Sequence, residues 1–145
     1  MKLIIETDVR QDYRTVFAGF SRELFLALNP PFPPVELQKF GMAKGDEVHI
    51  LLKFGLFRQK WVSLITETGE SESEIYFVDE GVSLPFFLKK WRHLHRILRR
   101  ENGARIIDDI TFEGRFSLLT YLLFPVLYAQ FRYRSPVYRR FFGKP

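Results

Sequence analysis

Apolar and polar residues recur along this chain at two different periods, and the changes of period mark out its elements. Leu3, Ile5 and Thr7 alternate against Lys2, Ile4 and Glu6, which predicts a strand over residues 2–9. Asp12 is placed to cap a helix. Val16, Phe17 and Phe20, then Leu24, Phe25 and Leu28, follow at helical spacing, and Gly19 divides them into two short helices. Asn29-Pro30-Pro31-Phe32-Pro33-Pro34 stops the second one, because proline lacks an amide donor and restricts its predecessor. The period then returns to two. Candidate strands are Val35–Phe40, Glu47–Phe54, Lys60–Thr68 and Ser73–Glu80. The first pair turns at Lys44-Gly45-Asp46, the second pair is joined through Gly69, and Gly81 to Pro85 reads as a bulge or corner. Two longer strands follow, Phe87–Arg100 and Arg105–Glu113, and then a helical stripe from Phe116 to Phe142 that Pro125 kinks or begins. Short connections favour an antiparallel meander of about seven strands, and the apolar face of such a sheet needs a cover, which the last helix supplies.

The last strand pair carries the most information. Asn102-Gly103 between two β-prone runs is a strong hairpin signal. With those two residues as the loop, Glu101 pairs with Ala104, His95 lies opposite Ile110, His93 opposite Phe112 and Ile97 opposite Asp108. One face then holds Trp91, His93, His95, Ile97, Asp108, Ile110 and Phe112. The other holds Arg92, Arg96 and Arg100 against Arg105, Asp109 and Glu113, with ion pairs expected at Arg96–Asp109 and Arg92–Glu113. The first face reads as buried although it contains two imidazoles and a carboxylate. An apolar wall with a few converging polar groups is how a small-molecule pocket is built.

Composition changes this picture in three places. At 145 residues the chain is long enough for one domain, 1–145, with a real core, and 16 Phe predict an aromatic-rich interior. The absence of Cys excludes disulfides and thiolate chemistry and fits a cytoplasmic setting; the charged start Met1-Lys2-Leu3-Ile4-Ile5-Glu6 does not read as a signal peptide. The net charge of +5 is concentrated in residues 89–115 and 132–144. No nucleic-acid-binding motif accompanies it, so no nucleic-acid partner is expected, and a solvated sheet face plus an Arg-rich helix end accounts for it. The apolar run after Phe116 is shorter than the ~20 residues of a bilayer span.

In order along the chain, Val16-Phe17, Phe20, Leu24 and Leu28-Asn29-Pro30-Pro31, then Lys44-Gly45-Asp46-Glu47-Val48, Trp61, Phe77-Val78-Asp79-Glu80, Pro85-Phe86, Trp91, His93, His95, Asp108, Ile110, Phe112 and finally Phe131, Tyr133 and Arg134 resemble the START-like (SRPBCC) superfamily. That superfamily includes birch-pollen-allergen, polyketide-cyclase and lipid-transfer domains; the resemblance is closest to its small bacterial ligand-binding members of unassigned function. Leu84 departs from the pattern, which usually has Gly before Pro-Phe. The resemblance implies an α+β helix-grip fold, a curved antiparallel sheet wrapped around a long C-terminal helix, with a cavity for a hydrophobic ligand between them. Some relatives cyclise or hydrate polyketides, and many only carry or sense a lipid, hormone or pigment.

The expected ligand-binding residues are therefore Trp61, Trp91, His93, His95, Asp108, Ile110 and Phe112 from the sheet, with Tyr121, Phe124 and Tyr128 from the helix. Tyr121 and Tyr128 are seven apart and share a helix face. The leading expectation is binding or carriage of a hydrophobic or amphipathic molecule, without a cofactor. The alternative is a cyclase- or dehydratase-like enzyme in which Asp108 orients His95 as a proton shuttle. His93 and His95 also have a spacing that serves a metal with Asp108 as third ligand, but no fourth ligand is visible and no metal is assigned. A second alternative is a membrane- or protein-interaction module through Arg132, Arg134, Arg139 and Arg140, by peripheral membrane contact.

Overall fold

The computed structural model describes residues 1–145. Strand β1 (Lys2–Val9) leads into helices α1 (Tyr13–Ala18) and α2 (Arg22–Leu28). Asp12 caps α1 by accepting the amides of Arg14 and Thr15, and Ser21 caps α2 by accepting that of Leu24. Six strands follow: β2 (Val35–Lys39), β3 (Glu47–Phe54), β4 (Phe57–Glu70), β5 (Glu74–Ser83), β6 (Leu88–Arg100) and β7 (Gly103–Gly114). They form one antiparallel sheet in the order β1-β7-β6-β5-β4-β3-β2, so the first strand closes against the last. Irregular registers in β2, between β4 and β5, and at the start of β6 bend the sheet. Ser63 pairs with Gly81 and Val62 with Ser83, leaving Val82 as the extra residue. Of the bulge or corner expected over Gly81 to Pro85, the structure has a bulge within β5, which runs on to Ser83.

The β6–β7 hairpin forms with its two-residue loop one position earlier than its sequence predicts, at Glu101-Asn102. Arg100 pairs with Gly103, and every partner moves by two: His95 lies opposite Asp108, His93 opposite Ile110 and Trp91 opposite Phe112. Gly103 explains the choice. Its φ is +142°, and a Cβ there would lie 2.1 Å from the Val9 carbonyl oxygen, so it belongs at the strand start where β1 passes closest. A shift of two preserves which face each residue occupies and changes only who meets whom. The expected Arg96–Asp109 and Arg92–Glu113 pairs are accordingly absent. Arg96 pairs with Glu74 and Arg92 with Glu80 on β5, Glu113 takes Lys89 and Lys90, and Asp109 takes Lys2 on β1.

The expected C-terminal helix is two helices end to end, α3 (Ser117–Arg132) and α4 (Arg134–Phe142). Pro125 lies inside α3, and the break comes at Tyr133. Pro136 accounts for it: it has no amide to offer the Arg132 carbonyl and its ring clashes there, so the ladder restarts at Arg134. Two apolar clusters result. One joins α1, α2 and α4 to the sheet through Val16, Leu24, Ile97 and Tyr138. The other joins α3 to β1, β6 and β7 through Leu3, Trp91, Phe112 and Phe131.

Candidate functional site

Alternation on β5, β6 and β7 brings two cross-strand rows together on the inner face. One row is Phe77, His95 and Asp108; the next is Asp79, His93 and Ile110. The polar contacts run along the diagonals between them. His95 Nε2 lies 2.7 Å from Asp79 Oδ2, and His93 Nε2 lies 2.9 Å from Asp108 Oδ1. An ionised carboxylate only accepts, so each Nε2 carries the proton. The imidazoles sit face against face, their centroids 3.5 Å apart, and the far side of His95 stacks on Phe77 at 4.1 Å.

Each carboxylate has further support. Trp91 Nε1–H donates to Asp79 Oδ1 at 3.1 Å. Asp108 Oδ1 also faces Arg134 Nη1 and the Tyr138 hydroxyl, both at 3.4 Å. The Arg134 guanidinium lies over the Phe131 ring at 4.1 Å. Burial alone would raise both carboxyls. The hydrogen bond from His95 and the nearby imidazoles outweigh it at Asp79, which is held below the usual carboxylate range. At Asp108, the His93 hydrogen bond and the Arg134 charge bring the carboxyl down to about 2. Burial, then the proximity of His93, pushes His95 down to about 4. Burial pushes the Tyr138 hydroxyl up. Two atoms in this otherwise well-partnered group have no hydrogen-bond partner, His95 Nδ1 and Asp108 Oδ2.

The group borders a cavity of about 840 Å³ between the sheet and α3. Asp79, His93 and His95 face it, with Arg134 and Ser63 nearby; the remaining wall is mainly apolar, from Phe25, Phe40, Ile50, Trp61, Phe77, Trp91 and Leu127 among others. Also on its wall, Phe32, Phe54, Phe57, Phe86 and Phe87 form a chain of aromatic contacts 5.4–6.4 Å apart.

Among the ten residues expected to contact a ligand, Trp61, Trp91, His93 and His95 face the cavity. The two Trp rings meet edge to face at 4.8 Å. Asp108 lies behind His93, fully buried, and does not reach the cavity. Ile110 and Phe112 are packed in the α3-side core. Tyr121 and Tyr128 point outward on α3 and stand exposed, and Phe124 is stacked beside Tyr128. None of the three lines the cavity; Leu123, Val126, Leu127, Gln130, Phe131 and Tyr133 do. The expected Asp108–His95 pairing is replaced by two pairs, Asp79–His95 and His93–Asp108. Asp79 is the site residue that strand counting on the hairpin missed. Its signal is the inward run Ile75, Phe77, Asp79, a carboxylate in an apolar series. Arg134, expected as part of a surface cluster, is turned inward onto Asp108. Arg132 and Arg139 are also engaged, with Ser135 Oγ and the Asp8 carbonyl. No helix is long and apolar enough to cross a membrane.

No family model matches the chain, and no curated protein matches its sequence. Solved structures do match in shape. An aromatase/cyclase from a Streptomyces species is 13% identical, with 97% of this chain and 94% of that one covered at a TM-score of 0.67. A protein from Arthrobacter aurescens is 16% identical over 96% of this chain and 86% of that one at 0.70. Norcoclaurine synthase from Thalictrum, solved as a point mutant with a transition-state analogue, is 10% identical over 97% and 94% at 0.65. At these identities the likeness establishes the fold alone, a curved antiparallel sheet closed around a C-terminal helical segment.

Proposed function

We propose that this helix-grip chain binds a hydrophobic or amphipathic small molecule in the cavity between its sheet and α3. The observation that carries this reading is the cavity itself: about 840 Å³, walled mainly by apolar and aromatic side chains, with Asp79, His93 and His95 clustered on its wall. The 16 Phe do not fill it. Burial of ligand surface supplies the affinity at about 25 cal/mol per Å² before ordering costs. Asp79, His93 and His95 orient the ligand's polar end. The test is native mass spectrometry of the purified protein against its denatured mass. A co-purifying small molecule, lost in Ile50→Trp, which fills the cavity from β3, is the expected result. An apo mass from wild-type protein, together with no uptake from a panel of aromatic and lipid probes, overturns it.

One observation favours a second reading, an enzyme of cyclase or dehydratase type. The His95–Asp79 pair, 2.7 Å apart on the cavity wall, is a general acid–base pair facing the ligand space. Here Asp79 takes the orienting role that the sequence assigned to Asp108. Turnover of a bound polyketide-like compound, lost in both His95→Ala and Asp79→Asn, selects this reading; binding without turnover selects the carrier.

A further inference from the structure

We infer that Asp79, His93 and His95 form a site for one divalent first-row transition metal ion, open on its remaining side to the cavity. The three residues offer Asp79 Oδ2, one ring nitrogen of His93 and one of His95 within 4.8 Å of one another. His95 Nε2 is 2.7 Å and His93 Nδ1 is 3.6 Å from that oxygen. Ligands held at about 2.0–2.2 Å from a shared ion stand at comparable separations. Two imidazoles and one carboxylate suit Zn²⁺ or Fe²⁺, and a three-ligand set on a cavity wall leaves a position free for a ligand oxygen.

The outer contacts point the same way. A metal-bound imidazole gives its remote N–H to a carboxylate. His93 already does: Nε2–H is on Asp108, so Nδ1 is the nitrogen left to face Asp79. Asp79 is steadied by the Trp91 indole on its other oxygen.

The two unpartnered atoms, His95 Nδ1 and Asp108 Oδ2, also fit an ion at this site. In the metal-free arrangement His95 spends its proton on Asp79. Its buried Nδ1 is then an acceptor without a donor, and the Asp108 atom near it, Oδ1 at 3.9 Å, is itself an acceptor; Asp108 Oδ2 has no partner either. Buried acceptors left without a donor are costly. A metal ion between Asp79 and His95 Nε2 removes the need for a proton there. The His95 proton then moves to Nδ1, on the Asp108 side. Both imidazoles turn their remote N–H toward one carboxylate, and Arg134 and Tyr138 hold that carboxylate in place. Asp108, named as a third ligand on spacing alone, becomes the common outer support instead. This site stands whether or not the cavity also holds an organic molecule.

The test uses the full chain after chelator treatment, titrated with Zn²⁺ by calorimetry and with Co²⁺ by visible absorption. Expected are one equivalent of Zn²⁺ and Co²⁺ bands of a four- or five-coordinate ion. Asp79→Asn and His95→Gln abolish the bands. Asp108→Asn weakens Zn²⁺ binding by about 10- to 100-fold, as loss of an outer support does. His49→Gln, on β3 outside the group, changes nothing. Absence of the one-equivalent site in wild-type protein, its survival in Asp79→Asn, or its loss in His49→Gln overturns the inference. X-ray absorption on Zn²⁺-loaded wild type decides independently of whether any variant folds: two imidazole nitrogens support the site, and an all-oxygen shell overturns it.

Discussion

Helices α3 and α4 lie end to end against the same sheet and are built for different purposes. In nine residues α4 buries Ser135, Val137, Tyr138 and Phe142; in sixteen, α3 buries only Leu127 and Phe131. The difference comes from what stands on the other side. Under α4 the sheet is backed by α1 and α2, and Phe20 contacts both Tyr138 and Phe142 at about 6 Å. Even Gly19 takes part, since a Cβ there would lie 2.5 Å from the Phe142 ring. Under α3 lies the cavity, and its outer side carries Leu118, Tyr121 and Leu122, each around 60% exposed or more. One half of the groove is packed solid, and the other is kept open at the expense of contacts. The polar group sits at the border between them, with His93 and His95 facing the open half and Tyr138 and Arg134 reaching Asp108 from the α4 side.

This division is tested most severely by truncation. Tyr138→Ala in the closed half is expected to cost about 3–5 kcal/mol in urea unfolding, as for other large buried aromatics. Leu122→Ala in α3 is expected to cost under about 0.5 kcal/mol. Equal losses would erase the distinction. Next in size is acid sensitivity of the border in metal-free protein. Folded His95 has its pKa lowered from 6.5 to about 4, so below pH 6.5 the unfolded chain takes up a proton that the folded one refuses. Stability is full above that pH and falls as pH drops toward 4, by roughly 3 kcal/mol. Asp108, lowered to about 2, extends the loss below pH 4 with the same sign. Denaturant midpoints that stay level from pH 7 to 4 would show that His95 is not buried as a neutral group. A smaller effect is expected for Gly19→Ala, about 1–2 kcal/mol, because the Phe142 ring must shift within a filled core; Gly55→Ala at the β3–β4 turn does not report on it, since nothing lies within 4 Å there. The smallest effect belongs to Tyr121→Ser, within about 0.5 kcal/mol either way, and a larger loss would mean that the outer side of α3 is covered.

Much of this architecture is legible in the residue pattern, because burial on one face of a strand leaves a period of two that survives local error. The hairpin loop is misplaced by one residue, which shifts every partner by two, yet Trp91, His93, His95, Asp108, Ile110 and Phe112 still share the inner face, since parity is unchanged. Pairings have no such protection. Asp108 passes from His95 to His93 through that shift, and Asp79 enters from β5, whose register against β6 no turn signal fixes. The α3 tyrosines illustrate a different limit. Periodicity identifies an apolar face but not whether it meets a core or an empty space, and α3 is apolar on more than one side. The joint at Tyr133 has a sequence signal of its own, Pro136 four residues after Arg132, whereas Pro125 is accommodated inside α3.

After Val9 the chain turns, and the amides of Arg10 and Gln11 donate to the carbonyls of Gly143 and Phe142, each at 3.0 Å. These two bonds close nearly the entire chain into a loop. Loop-closure entropy makes contacts of such separation late to form. The β3–β4 and β6–β7 hairpins assemble from neighbouring residues, whereas the contacts of α4 with β1 span nearly the whole chain. Arg134 and Tyr138 travel with α4, so Asp108 receives its last two partners at the end of folding. Until then the buried carboxylate relies on His93 alone, and the time at which the inner site becomes competent is set by the arrival of the final helix.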